Sequence, residues 1–305
     1  MAAYRIGIDI GGTNTKGALV GDDGALVAQV EISTEATPEG VVATAAGAVA
    51  RLLANAGVGI TDVCGVGVGV PGIVDSAGGA VAQAANLGIA QPLALGPLLA
   101  AELGVPVVVD NDLNIAALGA AQLYTNDGGS PVDLAFVALG TGVAAGFVFD
   151  GEVRRGHGPT GEIGHIPLVP GGLPCRCGQR GCMERYCSGS ALLRLWPDDG
   201  DTPGPRALFD AAAAGDPAAV AVRDGYCDHL AAAIRNLVLT VGPGRVVIGG
   251  GVARLGADLE AAVRAALARV SVGSPFLESL GLPALVSVAD ASVPIAALGA
   301  ARLVG

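Results

Sequence analysis

The chain reads as an α/β protein of two domains, and three observations carry that reading. Its 305 residues are more than a single core of ordinary size needs. Val- and Ile-rich extended runs alternate with capped helical stretches along the whole length. One pattern also occurs twice: a strand, a Gly/Thr turn, a second strand and an Asp-containing turn, beginning first near Arg5 and again near Leu134. Such repetition points to duplicated halves.

Composition narrows the function classes. Hydrophobic residues make up 51% and aromatic residues only 3%, so the core is expected to be Val, Leu, Ile and Ala. A net charge of −11, with 17 basic residues spread without a run, argues against a nucleic-acid partner, because phosphate backbones need basic surface. The strand pattern starts at Tyr4, which leaves no room for a signal peptide. The longest uncharged span, Ser76 to Ala101, contains Gln83, Asn86, Gln91, Pro92 and Pro97, so no membrane partner is expected. Clustered thiols without a signal fit a reducing, cytoplasmic location.

Taken in order, Arg5 to Ile10 alternates as a strand, Gly11-Gly12-Thr13 turns, Lys16 to Val20 is extended again, and Asp22-Asp23-Gly24 makes a hairpin before a strand over Ala25 to Ile32. Successive backbone N–H groups in the glycine turn form a concave anion site. Because that turn joins two strands, it is neither a Walker loop nor a dinucleotide fingerprint, both of which need a following helix. Thr37 caps a helix with Pro38 at its first position, running to Ala56 and stopped by Gly57. Val63 to Val70 is a glycine-interrupted strand ending at the turn Pro71-Gly72. A short helix over Pro97 to Leu103 closes at Gly104. Val105 to Val109 is a buried strand that delivers Asp110-Asn111-Asp112 at its C-terminal end, where α/β sheets gather ligands, and a helix follows over Asn114 to Tyr124. Asp110 or Asp112 is also a candidate cap of that helix.

The second half repeats the theme with a strand over Leu134 to Leu139, the turn Gly140-Thr141-Gly142, a strand over Ala145 to Phe149 and a hairpin at Asp150-Gly151. The densest stretch follows: Gly161-Glu162-Ile163-Gly164-His165, then Cys175-Arg176-Cys177-Gly178, then Gly181-Cys182-Met183-Glu184. Thiolates and a neutral imidazole are the donor set of a tetrahedral zinc site, and four protein donors would close the shell, making the metal structural. The alternatives are a disulfide or three core thiols; Cys175 and Cys177 are too close to bridge without strain, and three thiols leave one over. A metal here would also fix where Glu162 and Glu184 point, and carboxylates beside an imidazole suit a neutral ligand rich in hydroxyl groups. Leu195 to Pro205 reads as a polar loop, Pro217 to Val241 as the longest helix, capped by Asp216 and stopped by Gly242, and Arg245 to Ile248 as a strand entering Gly249-Gly250-Gly251. A helix over Ala257 to Val270, a strand over Leu285 to Val288 and a terminal helix opened by Ser292-Val293-Pro294 complete the chain, the last expected to pack on the first domain.

The run Gly-Glu-x-Gly-His, nine residues, Cys-x-Cys-Gly-x-x-Gly-Cys-x-Glu resembles the signature of the ROK family of bacterial sugar kinases and sugar-responsive repressors. Asp9-x-Gly-Gly-Thr in a hairpin is similar to the first phosphate loop of the actin–hexokinase superfold. The resemblance spans Gly7 to the terminal helix. It implies a two-domain actin/hexokinase-like (ribonuclease-H-like) fold with the active site in the interdomain cleft: a smaller domain of residues 1–115 plus 291–305, and a larger one of residues 116–290. It implies His165, Cys175, Cys177 and Cys182 as ligands of a structural Zn²⁺. Gly72, Asn86, Asn111, Asp112, Glu162, His165 and Glu184 would contact the sugar, with Asp112 the general base that takes the hydroxyl proton as the O–P bond forms. Asp9 would act through Mg²⁺. Gly11, Gly12, Thr13, Lys16 (the one lysine of the chain), Thr141 and Gly142 would meet the phosphates, and Gly249, Gly250 and Gly251 the adenosine end of ATP. Ala144-Ala145 departs from the longer glycine run usual in the second phosphate loop.

What this implies is an ATP-dependent hexose kinase, with glucose to glucose 6-phosphate as the leading expectation and a homodimer or homotetramer as the family's habit. Leu87-Gly88-Ile89-Ala90 replaces the Gly-Trp that many glucokinases of the family carry after the asparagine. N-acetylmannosamine, N-acetylglucosamine, mannose, allose or a glucose-like cyclitol would keep the same motifs, and polyphosphate could replace ATP. A sugar-sensing transcriptional regulator of the same family would need a helix-turn-helix ahead of the first strand, where only Met1 to Tyr4 stand.

Overall fold

A computed structural model describes residues 4–125, 132–157, 160–197 and 202–304. The chain divides into two compact units: Met1–Pro131 with Gly151–Arg154 and Pro294–Gly305, and Val132–Asp150 with Arg155–Val293.

In the first unit, β1 (Tyr4–Ile10), β2 (Asn14–Gly21) and β3 (Leu26–Ser33) form an antiparallel meander, followed by α1 (Pro38–Ala56), β4 (Val63–Val70), the small hairpin β5 (Ile73–Asp75) and β6 (Ala80–Ala82), α2 (Leu95–Leu103), β7 (Val107–Asn111) and α3 (Asp112–Leu123). The sheet order is β3-β2-β1-β4-β7, with β4 parallel to β1 and β7 parallel to β4. Alternation in β1 puts Ile6, Ile8 and Ile10 on one face, where they are fully buried with Leu52 and Val49 of α1. The local signals read from the residues set the ends of α1: the Thr37 side chain accepts a hydrogen bond from Gly40 N–H at 3.0 Å, and Gly57 takes a left-handed conformation (φ 67°) as the stop.

Along with α4 (Glu184–Cys187), α5 (Gly189–Leu195), α6 (Gly204–Ala213), α7 (Pro217–Val241), α8 (Ala257–Ser271) and the single turns α9 (Pro275–Ser279) and α10 (Leu282–Leu285), the chain forms a second sheet from β8 (Leu134–Leu139), β9 (Val143–Phe149), β10 (Glu152–Val153), β11 (Arg245–Gly249) and β12 (Val286–Val288). Its order, β10-β9-β8-β11-β12, repeats that of the first sheet strand for strand. Val137, Leu139 and Ile248 of the sheet pack with Leu230 and Ile234 of α7 in the core. Asp216 caps α7 by accepting hydrogen bonds from Ala218 and Ala219 N–H, and Gly242 ends it with φ 71°.

The last helix, α11 (Ile295–Ala301), returns to the first unit and covers the face of β1 opposite α1. Gly7 makes this possible: a Cβ there would overlap the carbonyl of Ala297, so only a glycine lets helix and strand close to this distance. Gly119 of α3 and Gly299 of α11 face backbone in the same way, which gives the two helices a close crossing. Helix α3 therefore stays whole in the first unit, whereas the sequence reading drew the boundary after residue 115. Asn111, not Asp110 or Asp112, is the N-cap of α3, its Oδ1 accepting from Leu113 N–H at 2.9 Å. Of the polar loop expected over 195–205, residues 198–201 lie outside the described residues. Among the described residues, no helix is long and apolar enough to cross a membrane.

Candidate functional site

In the first unit the candidate residues cluster at the C-terminal ends of β1, β4 and β7. Asp9 and Lys16 are direct cross-strand partners on β1 and β2, so both side chains stand on one face of the sheet. The turn between these strands is closed by Gly11 N–H donating to Asn14 C=O at 3.0 Å, leaving Gly12 half-buried and Thr13 exposed at its tip. Desolvation, and then the negative charge of Asp112, push the Asp9 carboxyl up to about 7, while Lys16 pulls the other way. Two carboxylates that raise each other's cost of ionisation are a natural place for a cation, and Asp9 is the one the sequence reading sets beside magnesium.

The asparagines and Gly72 meet in the same unit. Asn111 Nδ2 donates to Gly72 C=O at 3.3 Å, and Gly72 adopts φ 107°, open only to glycine. Asn86 lies against the phosphate loop: a Cβ on Gly12 would stand 3.0 Å from Asn86 Cβ and 3.1 Å from its carbonyl oxygen. Asp112 is the first residue of α3, and its Oδ1 lies 3.0 Å from Leu113 N. Asp110 entered the sequence reading only as a candidate helix cap. It is buried, and its Oδ1 accepts from Asn111 N–H at 2.8 Å, Asn114 Nδ2 at 2.8 Å and Ser76 Oγ at 3.4 Å. These bonds tie the junction that carries Asn111 and Asp112 to β7 and to the turn after β5. Only its acidic type beside Asn111-Asp112 could have flagged it.

In the second unit the metal-type donors converge. One donor atom each from His165, Cys175, Cys177 and Cys182 lies within 4.8 Å of all the others. Cys177 Sγ and Cys182 Sγ are 3.6 Å apart, and Cys175 Sγ is 3.7 Å from His165 Nδ1. Bonds of about 2.3 Å to sulfur and about 2.0 Å to nitrogen place the corners of a zinc tetrahedron about 3.5–3.8 Å apart, so these spacings fit the ion. The thiols' titration agrees. The Gln179 backbone N–H lowers the Cys177 thiol to about 6, whereas burial, and then the neighbouring Cys177 and Cys175, raise Cys182 to about 12. One thiolate forms readily, and further ones need a cation between them. Gln179 also donates from Nε2 to His165 C=O at 3.1 Å and to Cys177 Sγ at 3.5 Å, a link no spacing rule announces.

His165 turns its two ring nitrogens to different groups. Nδ1 faces the thiols, while Nε2 lies 3.9 Å from Glu162 Oε2. Glu184 begins α4 two residues after Cys182, and its carboxylate lies over the Gly140–Gly142 turn: a Cβ on Gly142 would overlap Glu184 Oε2. Each of the two loops thus has a glycine, Gly12 or Gly142, closely approached by a candidate sugar ligand, Asn86 or Glu184. Thr141 lines a cavity of about 350 Å³ with Gly140, Ser190, Pro205, Gly251 and Val252. Of the triple glycine, only Gly251 reaches it. Cβ atoms at Gly249 and Gly250 would strike the Phe136 ring and the Leu139 backbone, so those two glycines serve the packing of β11 on β8.

The ROK family model matches residues 5–305. A glucokinase from Halalkalibacterium halodurans is 35% identical over 297 residues, 90% of this chain and 89% of its own length. An N-acetyl-D-glucosamine kinase from Pasteurella multocida is 31% identical over 279 residues, 87% of this chain and 90% of its own. Among solved structures, the ROK family glucokinase from Streptomyces griseus in complex with glucose and AMPPNP superposes with a TM-score of 0.76 at 30% identity, covering 98% of each chain. The mixed α/β architecture with two like sheets is accordingly the actin/hexokinase-like fold expected from the loops.

Proposed function

Because the chain belongs to the ROK family, we propose that it is an ATP-dependent sugar kinase that transfers the γ-phosphate to a hexose, with glucose to glucose 6-phosphate the best-supported reaction. The observation that carries this reading is the contact of Glu184 with Gly142: a carboxylate suited to sugar hydroxyls lies on a turn suited to phosphate. The contact of Asn86 with Gly12 repeats that arrangement in the other unit. A donor loop and an acceptor ligand held side by side suit phosphoryl transfer, where catalysis is mostly positioning and charge stabilisation.

Asp112, at the head of α3, accepts the proton of the attacking hydroxyl as the O–P bond forms, a step worth about 10²–10⁴-fold. Asn111 and Gly72 sit beside it for acceptor hydroxyls, and Glu162, His165 Nε2 and Glu184 supply further partners. Backbone N–H groups of Gly12, Thr13, Thr141 and Gly142 receive the phosphates, with Gly11 closing the first turn and Lys16 and Asp9 on the adjoining sheet face. Magnesium near Asp9 would neutralise phosphate charge. His165, Cys175, Cys177 and Cys182 would hold zinc in a closed four-donor shell, so its part is structural. The apolar walls around Gly251 suit the adenine ring.

N-acetylglucosamine is the second acceptor reading, favoured by the identity to the Pasteurella multocida enzyme. Leu87 and Ile89 are buried in the first core and so do not themselves select the sugar. A coupled ADP-release assay with ATP and Mg²⁺ across hexoses, N-acetylhexosamines and cyclitols decides: the highest kcat/KM is expected for glucose. A better N-acetylhexosamine would move the acceptor, and no turnover on any acceptor would overturn the kinase reading.

A further inference from the structure

A second cavity, of about 430 Å³, lies in the first unit at the end of β1 opposite the phosphate loop. Arg5 lines it, and Gly11 is six residues further along the strand, about 20 Å away. Its other walls are the β2–β3 turn at Asp22 and Asp23, the last turns of α3 at Leu118 and Gln122, and the C-terminal end of α11 with Arg302. The volume is within the range of small-molecule sites, about 300–1,000 Å³.

The charges around it are unspent. Arg206, Arg223, Arg264 and Arg269 all find carboxylates. Arg5 donates only to the carbonyls of Gly21 and Asp22, at 3.2 and 3.4 Å, and Arg302 is exposed and makes no ion pair among the described residues. Asp23 Oδ1 instead accepts from Ala25 N–H at 2.9 Å within the turn. Two arginines and two aspartates therefore line one cavity, together with the apolar Val20, Leu118 and Leu298. Guanidinium forks match phosphate oxygens, and aspartates accept from hydroxyl groups.

We propose that this cavity is a second ligand site, separate from the phosphate loops, for a phosphorylated sugar or polyol, with the phosphate on Arg5 and Arg302 and hydroxyls on Asp22 and Asp23. The site does not rest on the kinase reading, since binding is read without turnover. It does touch both elements that lead to that chemistry, because β1 continues to Asp9 and α3 begins at Asp112.

Calorimetry with glucose 6-phosphate, run with saturating glucose and a non-hydrolysable ATP analogue present, tests it. One binding event should persist under those conditions. Arg302→Ala should weaken it by about 10- to 100-fold, leaving kcat and KM at wild-type values. Asp22→Asn should weaken glucose 6-phosphate more than inorganic phosphate. Absence of binding, binding abolished by the active-site ligands, or binding untouched by Arg302→Ala would each overturn the site. Inorganic phosphate binding as tightly as the sugar phosphate would overturn the assigned ligand class.

Discussion

Replacing Gly142 with alanine separates the function of the second phosphate loop from its folding. The added Cβ would meet Glu184 Oε2 inside any real contact distance, while no other group stands as close. The obstacle is the far end of a flexible side chain, so the carboxylate moves and the backbone stays. The loop N–H survives, and Gly142 has no left-handed φ for alanine to resist. Glu184 should lose its position over the loop, and with it a charge-assisted hydrogen bond to the acceptor worth about 1.5–3 kcal/mol. That loss corresponds to an increase of about 10- to 150-fold in acceptor KM. KM for ATP should change less than threefold, and the unfolding midpoint should hold. Coupled ADP-release kinetics at varied glucose, with Glu184→Ala and the double variant alongside, provide the assay. If Gly142 acts through Glu184, the double variant is no worse than Glu184→Ala alone. An acceptor KM within twofold of wild type, or losses that multiply in the double variant, would refute the reasoning.

Three further outcomes follow from the same geometry. Asp112→Asn should keep sugar binding by calorimetry while turnover falls about 10²–10⁴-fold; near-normal turnover would remove it as the base. Cys177→Ala should lose bound zinc, read with a chromophoric chelator, and sugar affinity together; full affinity in a zinc-free variant would separate metal from site. In magnesium-free buffer, the raised Asp9 carboxyl means the folded state holds its proton more tightly than the unfolded chain. Stability should therefore fall as pH rises from about 4 to about 7, by at most about 4 kcal/mol, and Asp9→Asn should remove that part of the slope in urea unfolding. An unchanged slope in Asp9→Asn would place the titration elsewhere.

Much of the site was legible because its signals are local. The Cys175-x-Cys177 and Gly181-Cys182 spacing keeps donors within one loop, so backbone reach alone brings their sulfur atoms close. The Asp9-Gly11-Gly12-Thr13 turn is likewise bounded by its own strands. Gln179 and Asp110 were not legible, because a glutamine or an aspartate gains a partner only when other segments arrive. The roles of Gly249 and Gly250 were blurred for the same reason: a glycine run reads alike whether it meets a ligand or, as here, the Phe136 ring and Leu139 backbone.

By itself the sequence determined where α1 and α7 begin and end, since Thr37-Pro38, Gly57, Asp216-Pro217 and Gly242 act through hydrogen bonds and φ values within a few residues. It also determined the alternation of β1 and the donor set of the thiol cluster. Tertiary structure alone decided the β5–β6 hairpin and α6, which the reading of the residues did not name. It alone pressed Asn86 against Gly12 and Glu184 against Gly142, and brought Asp112 close enough to raise Asp9. Those approaches join residues 42 to 103 positions apart, and steric contact or charge at that separation is a property of packing.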